Sequence, residues 1–248
     1  MPGLSRIILL TFFLSVSLSA KGQDTERPLP PILDLVTVDP QTGNVTLEWT
    51  EGGSPDVAGY IIYLYLNDEG YAIDTLYQPS AISYTNTSSN AGFYTESYVI
   101  AAIDSSDNVS PLSNFLPTMY LEGKIDTCKR EIVLSWNKYE GINHEVIEYK
   151  IYSSADGNTF EYKGSVGGSD TTFSDESFSS YALYCYYIEA ITDIGRSSLS
   201  NSTCLNTDLP VPPEWINADY ASINEDGHTE LSFTIDPASE YTWYIIER

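Results

Sequence analysis

The chain has 248 residues, 35 acidic against 11 basic, for a formal net charge of -24 at pH 7. A field of that sign repels phosphate backbones and anionic lipid, which excludes a nucleic-acid partner. With 20 Tyr against 2 Met, and β-branched residues throughout, the composition suits half-buried pleated surfaces and points to an all-β fold.

Residues 1–22 read as a signal peptide. Arg6 supplies the positive start and Ile7 to Leu18 an apolar run too short to span a bilayer. The small residues Ala20 and Gly22 place cleavage before Gln23, so a secreted or cell-surface chain with no membrane-spanning segment is expected, a retained anchor being the alternative. Residues 23–30 form a polar, Pro-rich lead-in.

A first module is expected over 31–117. Ile32 to Val38 is its first strand, and Asp39 to Gly43 turns the chain by its Pro and Gly content. Val45, Leu47 and Trp49 then alternate toward one face, as do Tyr60, Ile62 and Leu64 after a loop. Asn67 to Gly70 is a turn, Tyr71 to Thr75 an edge strand, and Ile82 and Tyr84 mark another. Tyr98, Ile100 and Ala102 form a well-marked strand, and Val109 to Asn114 the last of the unit.

A second module over 118–207 repeats this order: Met119 to Ile125, then Ile132, Leu134 and Trp136, then Tyr149 and Ile151. An edge strand follows at Thr159 to Lys163, and Tyr184, Tyr186, Ile188 and Ala190 alternate before the Asp193 to Arg196 turn. Trp49 and Trp136 lie 87 positions apart, as do Asn114 and Asn201, so the period is that of a tandem domain array. A stiff Pro linker occupies 208–213. Residues 214–248 open a third, partial unit with Leu231-Ser232-Phe233 and a further strand at Tyr244-Ile245-Ile246. An open apolar face there implies an N-terminal fragment of a longer protein.

The B-strand Trp, the Tyr-x-Ile C strand, the Tyr-x-Ile-x-Ala F strand and the Ser-x-x-Ser-Asn that follows resemble the fibronectin type III domain. The residues are Trp49, Tyr60, Tyr98, Ser110, Ser113 and Asn114, then Trp136, Tyr149, Tyr186, Ser197, Ser200 and Asn201. The resemblance implies tandem seven-stranded β-sandwiches with those Trp and Tyr residues as core. More loosely, the Cys-bearing second copy is similar to modules of secreted proteins that end in a gliding-motility-associated sorting domain.

Cys128, Cys185 and Cys204 all fall in the second unit, which in an exported chain suggests one disulfide and one leftover thiol. Centring the hairpin turn on Ile194 and Gly195 sets Cys185 opposite Cys204; Cys128 with Cys204 is the alternative. No catalytic constellation is visible. His144 and His228 lie in loops of different units, too few for a zinc site or a triad. Glu140 and Glu145 share a loop with no evident cleft. No calcium-loop motif is present, so neither metal nor cofactor is expected.

Tyr139 and Tyr181 are candidate surface contacts. Asn44, Asn86, Asn108 and Asn201 begin N-glycosylation sequons, and Asp74-Thr75-Leu76 and Asp170-Thr171-Thr172 look like bacterial O-glycosylation signals. The expectation is a non-catalytic exported protein whose modules act as spacers or as adhesive units toward a protein or polysaccharide ligand at the cell surface. The alternatives are accessory domains of a secreted hydrolase and the ectodomain of a membrane receptor.

Overall fold

A computed structural model describes residues 24–241 together with 244 and 245. The signal segment and the Gly22/Gln23 cleavage position lie outside them. Among the described residues there is no helix, hence none long and apolar enough to cross a membrane.

In the first module β1 (Ile32–Val38), β2 (Val45–Thr50) and β5 (Ser83–Asn86) form one antiparallel sheet, ordered β1-β2-β5. The facing sheet, ordered β4-β3-β6-β7, comprises β3 (Val57–Leu66), β4 (Glu69–Leu76), β6 (Ser97–Asp104) and β7 (Leu116–Pro117). Asn67 and Asp68 join β3 to β4 with φ of 52° and 65°, the paired positive angles of a hairpin turn whose twist matches its strands.

The core sits between the sheets. Val45, Leu47 and Trp49 meet Tyr60, Ile62, Tyr98, Ile100 and Ala102, none more than 3% exposed. Burial of each large side chain contributes about 1.5–3 kcal/mol. Leu64 is only half-buried at the rim. Ile82, expected with Tyr84 to mark a strand, immediately precedes β5 and is 59% exposed: its carbonyl accepts the Trp49 N–H at 3.0 Å while the side chain turns out.

The expected strand over Val109 to Asn114 is not regular. Ser110 bonds opposite Ala102 and Ser113 opposite Ile100, so three residues advance against two and the backbone falls out of register. The serine hydroxyls repair the ladder, accepting the N–H of Ala102 at 2.9 Å and of Ile100 at 3.0 Å. Asn114 then crosses to the other sheet, its amide accepting from Leu33 N and donating to Leu33 O, each at 2.9 Å.

The second module repeats the plan. β8 (Leu121–Asp126), β9 (Glu131–Trp136) and β12 (Thr172–Asp175) form one sheet, ordered β8-β9-β12. The other, ordered β11-β10-β13-β14, holds β10 (Val146–Ser154), β11 (Glu161–Gly167), β13 (Leu183–Thr192) and β14 (Ser197–Leu199), with β15 (Thr203–Asn206) also on β13. Ser200 accepts the Ile188 N–H at 3.0 Å, and Asn201 accepts the Leu121 N–H at 2.6 Å, as Ser113 and Asn114 do in the first copy. Both modules are thus fibronectin type III-like sandwiches.

Within residues 208–213 the Arg130 guanidinium donates to Pro210 O at 3.2 Å, and Val211 gives its N–H to the Glu240 carboxylate and accepts the Glu240 N–H, each at 3.0 Å. Beyond them β16 (Ile216–Ile223) and β17 (Thr229–Ile235) make a hairpin. Ile216, Ile223, Leu231 and Phe233 are exposed on it because no described sheet faces it. The strand expected from Tyr244 is absent at Tyr244 and Ile245.

Candidate functional site

The most constrained feature outside the two cores is the joint between the sandwiches. It begins in the core of the second module, where Trp136 and Tyr149 meet ring to ring at 5.4 Å. The Tyr149 hydroxyl accepts the backbone N–H of Tyr139 at 2.9 Å, which aims the Tyr139 side chain at the first module. There its hydroxyl accepts the Val36 N–H at 3.0 Å and donates to the Val36 carbonyl at 2.9 Å.

Val36 lies on β1, an edge strand whose outer backbone groups would otherwise be unpaired. Ser198 donates to the same carbonyl at 2.7 Å, and Leu199 N donates to the Thr37 hydroxyl at 2.9 Å. Arg196 reaches Glu48 at 3.2 Å, and the Asn114 amide donates to Gly141 O at 3.2 Å. Tyr139 is 2% exposed, so it is a joint residue and not the surface contact expected of it. Burial pushes its phenol up to about 12 against the opposing pull of the Val36 hydrogen bond.

Each sandwich also buries a carboxylate against its F-strand tyrosine. Tyr98 donates to Glu96 at 2.6 Å, and Tyr186 to Asp175 at 2.8 Å. Asp175 is 2% exposed, pairs with Lys163 at 2.8 Å and accepts the Ser177 N–H at 2.8 Å. Burial alone raises its pKa, but the Lys163 ammonium and the Ser177 and Tyr186 hydrogen bonds together hold it below the ordinary carboxylate value. Burial, then the neighbouring carboxylate, pushes the phenols of Tyr98 and Tyr186 well above theirs. The indole N–H groups of Trp49 and Trp136 are buried without a partner, a cost outweighed by the ring area each buries.

Cys185 and Cys204 are joined by a disulfide across β13 and β15, in the register read from the hairpin, and Cys128 is free and exposed. Trp49, Tyr60, Tyr98, Trp136, Tyr149 and Tyr186 all lie in the two cores.

Glu140, His144 and Glu145 line one shallow depression, where His144 faces Asp193 at 3.5 Å. His228 sits in the turn between β16 and β17, its N–H given to Asn224. Tyr181 is exposed, but its hydroxyl is engaged by Glu240. Three of the four sequon amides are already used: Asn86 on Tyr98, Asn108 on Asp104 and Asn201 on Leu121.

One grouping has no sequence motif behind it. Asp24, Asp56 and Asp104 bring carboxylate oxygens within 4.8 Å of one another, the oxygen donors that hard divalent cations take. The Asp104 oxygens already accept the N–H groups of Ser106 and Asn108 and the Asn108 amide.

No family model matches the sequence, and no curated protein does. Among solved structures, the chain is similar to a two-fibronectin type-III domain segment from chicken tenascin, at 15% identity over 73% of this chain and 100% of that one, with a TM-score of 0.31. The FN1–FN3 domains of chicken CNTN1 match at 17% identity over 73% of this chain and 69% of that one, TM-score 0.31. Pectate lyase PelI from Erwinia chrysanthemi, in complex with tetragalacturonic acid, matches at 18% identity with a TM-score of 0.32. That match covers 35% of this chain and 28% of the lyase chain.

Proposed function

We propose that the chain is a non-catalytic, exported protein whose two sandwiches form a rigid spacer at the cell surface, of the type found in gliding-associated secreted proteins. The observation that supports a spacer is the Tyr139 hydroxyl closed on both backbone groups of Val36: domains joined by a flexible linker have no need to satisfy an edge strand from the neighbouring module. The apolar run before Gln23 and the acidic surface support export.

Spin labels placed one on each sandwich test the spacer reading through their distance distribution. A single narrow distribution is expected in the wild type, broadening when Tyr139→Phe and Ser198→Ala are combined; a broad distribution in the wild type refutes it. N-terminal sequencing of the exported chain tests the export reading, with Gln23 expected first and a retained Met1 refuting it.

A further inference from the structure

We propose that the trough at the joint binds an uncharged glycan chain, seated against an aromatic strip of the second module. The trough measures about 490 Å³, within the range of ligand clefts. One wall, with Val38 and the Asp39 to Gln41 turn, comes from the first sandwich, and the other, with Phe160, Tyr187 and Leu199, from the second. Phe160 and Tyr187 begin a row of four rings on the outer face of the β10, β11 and β13 sheet. Phe160 lies 4.9 Å from Tyr187, Tyr187 stacks on Tyr152 at 4.9 Å with the planes 13° apart, and Tyr162 abuts Tyr152 at 6.1 Å. None of the four belongs to the core clusters, and Tyr162 is 59% exposed.

The chemistry of this surface selects the ligand. A pyranose ring has a face of polarised C–H bonds, which the negative face of an aromatic ring attracts, and a rim of hydroxyls that each need a partner. Gln41 on the facing turn and Asn158, in the loop that leads to Phe160, add side-chain amides to the lining, the Asn158 Nδ2 being given to Asp156 O at 3.1 Å. The Asp39 carboxylate lines the trough, its Oδ1 accepting the N–H groups of Gln41 and Thr42.

Planar amides and a carboxylate beside stacked rings match vicinal hydroxyls. Neither Lys nor Arg lines the trough, and the chain carries a net charge of -24, so sulfated, phosphorylated and uronic-acid chains are repelled. The two walls come from different modules, so the site rests on the rigid spacer reading and disappears if the joint swings.

Affinity electrophoresis of the full exported chain through gels containing laminarin, xyloglucan or polygalacturonate tests the proposal. Retardation in a neutral gel is expected, weakened about tenfold or more by Phe160→Ala, the loss of about 1.4 kcal/mol. Gln41→Ala, on an exposed turn, should weaken it too and keeps the test open if Phe160→Ala disturbs folding.

The site is refuted by migration unaffected in both neutral gels, by equal or stronger retardation in polygalacturonate, or by variants retarded like the wild type. Binding of gelatin in place of glycan refutes it as well. The spin-label distances on the same samples separate a failed site from a loose joint: a narrow distribution without retardation overturns the glycan and leaves the spacer standing.

Discussion

Replacing Tyr139 with Phe removes one oxygen and leaves the ring. That oxygen is the acceptor for the Val36 N–H and one of two donors to the Val36 carbonyl, Ser198 being the other. Val36 is 0% exposed, so its N–H is left unpaired where water does not reach. An unsatisfied buried donor costs about 1–3 kcal/mol, whereas the carbonyl keeps a partner, so the expected loss is about 2 kcal/mol.

Urea unfolding of the wild type and the variant measures that loss directly. A pH titration adds an independent reading. The Tyr139 phenol titrates at about 12 in the folded chain against 10.0 for a free phenol. Its raised value means that its stabilisation is fully present below pH 10 and is lost as pH rises toward 12. The buried phenols of Tyr98 and Tyr186 add an alkaline limb of the same sign to both proteins, so the difference between the two curves reports Tyr139. A variant within about 0.5 kcal/mol of the wild type, or one with the same alkaline limb, refutes the account of the joint.

Cys185→Ser with Cys204→Ser opens a loop with a sequence separation of 19 and should cost roughly 3 kcal/mol in the chain-entropy model, read from the urea midpoint; an unchanged midpoint contradicts it. Asp175, with its lowered pKa, stabilises the second sandwich above its unfolded value of 3.8, and this contribution is lost as pH falls through the folded value. Asp175→Asn should flatten that acid limb in a fluorescence-monitored titration, and an acid limb identical to the wild type is the contrary result. Asn201→Ala leaves the buried Leu121 backbone unpaired and should cost about 1–3 kcal/mol by thermal or urea melting. The equivalent change at the half-buried Asn114 should cost less, and the reverse order contradicts this reasoning.

Two periodicities made the sandwiches readable before any coordinates. The period of two in Val45, Leu47 and Trp49 assigns one face to the core, and the repeat offset of 87 residues assigns the same role to Ile132, Leu134 and Trp136. The disulfide was legible to within one residue, since the place of the turn sets the hairpin register: Glu189 pairs with Leu199, and a one-residue slip before β15 then sets Cys185 opposite Cys204. The irregular backbone of the Val109 to Asn114 segment leaves no such mark, because it depends on hydrogen bonds to another strand, which pattern does not encode. Tyr139, one of many tyrosines, bore no mark separating a surface aromatic from a buried one.

The sequence alone determined the all-β class, the tandem repeat, the core positions and the place of the cysteine bridge, because each follows from local alternation and spacing. Only the tertiary structure decided that Tyr139 closes on Val36, that Asp24, Asp56 and Asp104 converge, and that Phe160 and Tyr187 face the Asp39 to Gln41 turn. Those residues lie far apart along the chain. The three aspartates converge from the lead-in, the β2–β3 loop and the end of β6 within the first module, whereas the other two meetings depend on the rotation of one sandwich against the other, set by a few hydrogen bonds to an edge strand; neither leaves a periodic trace in the order of residues.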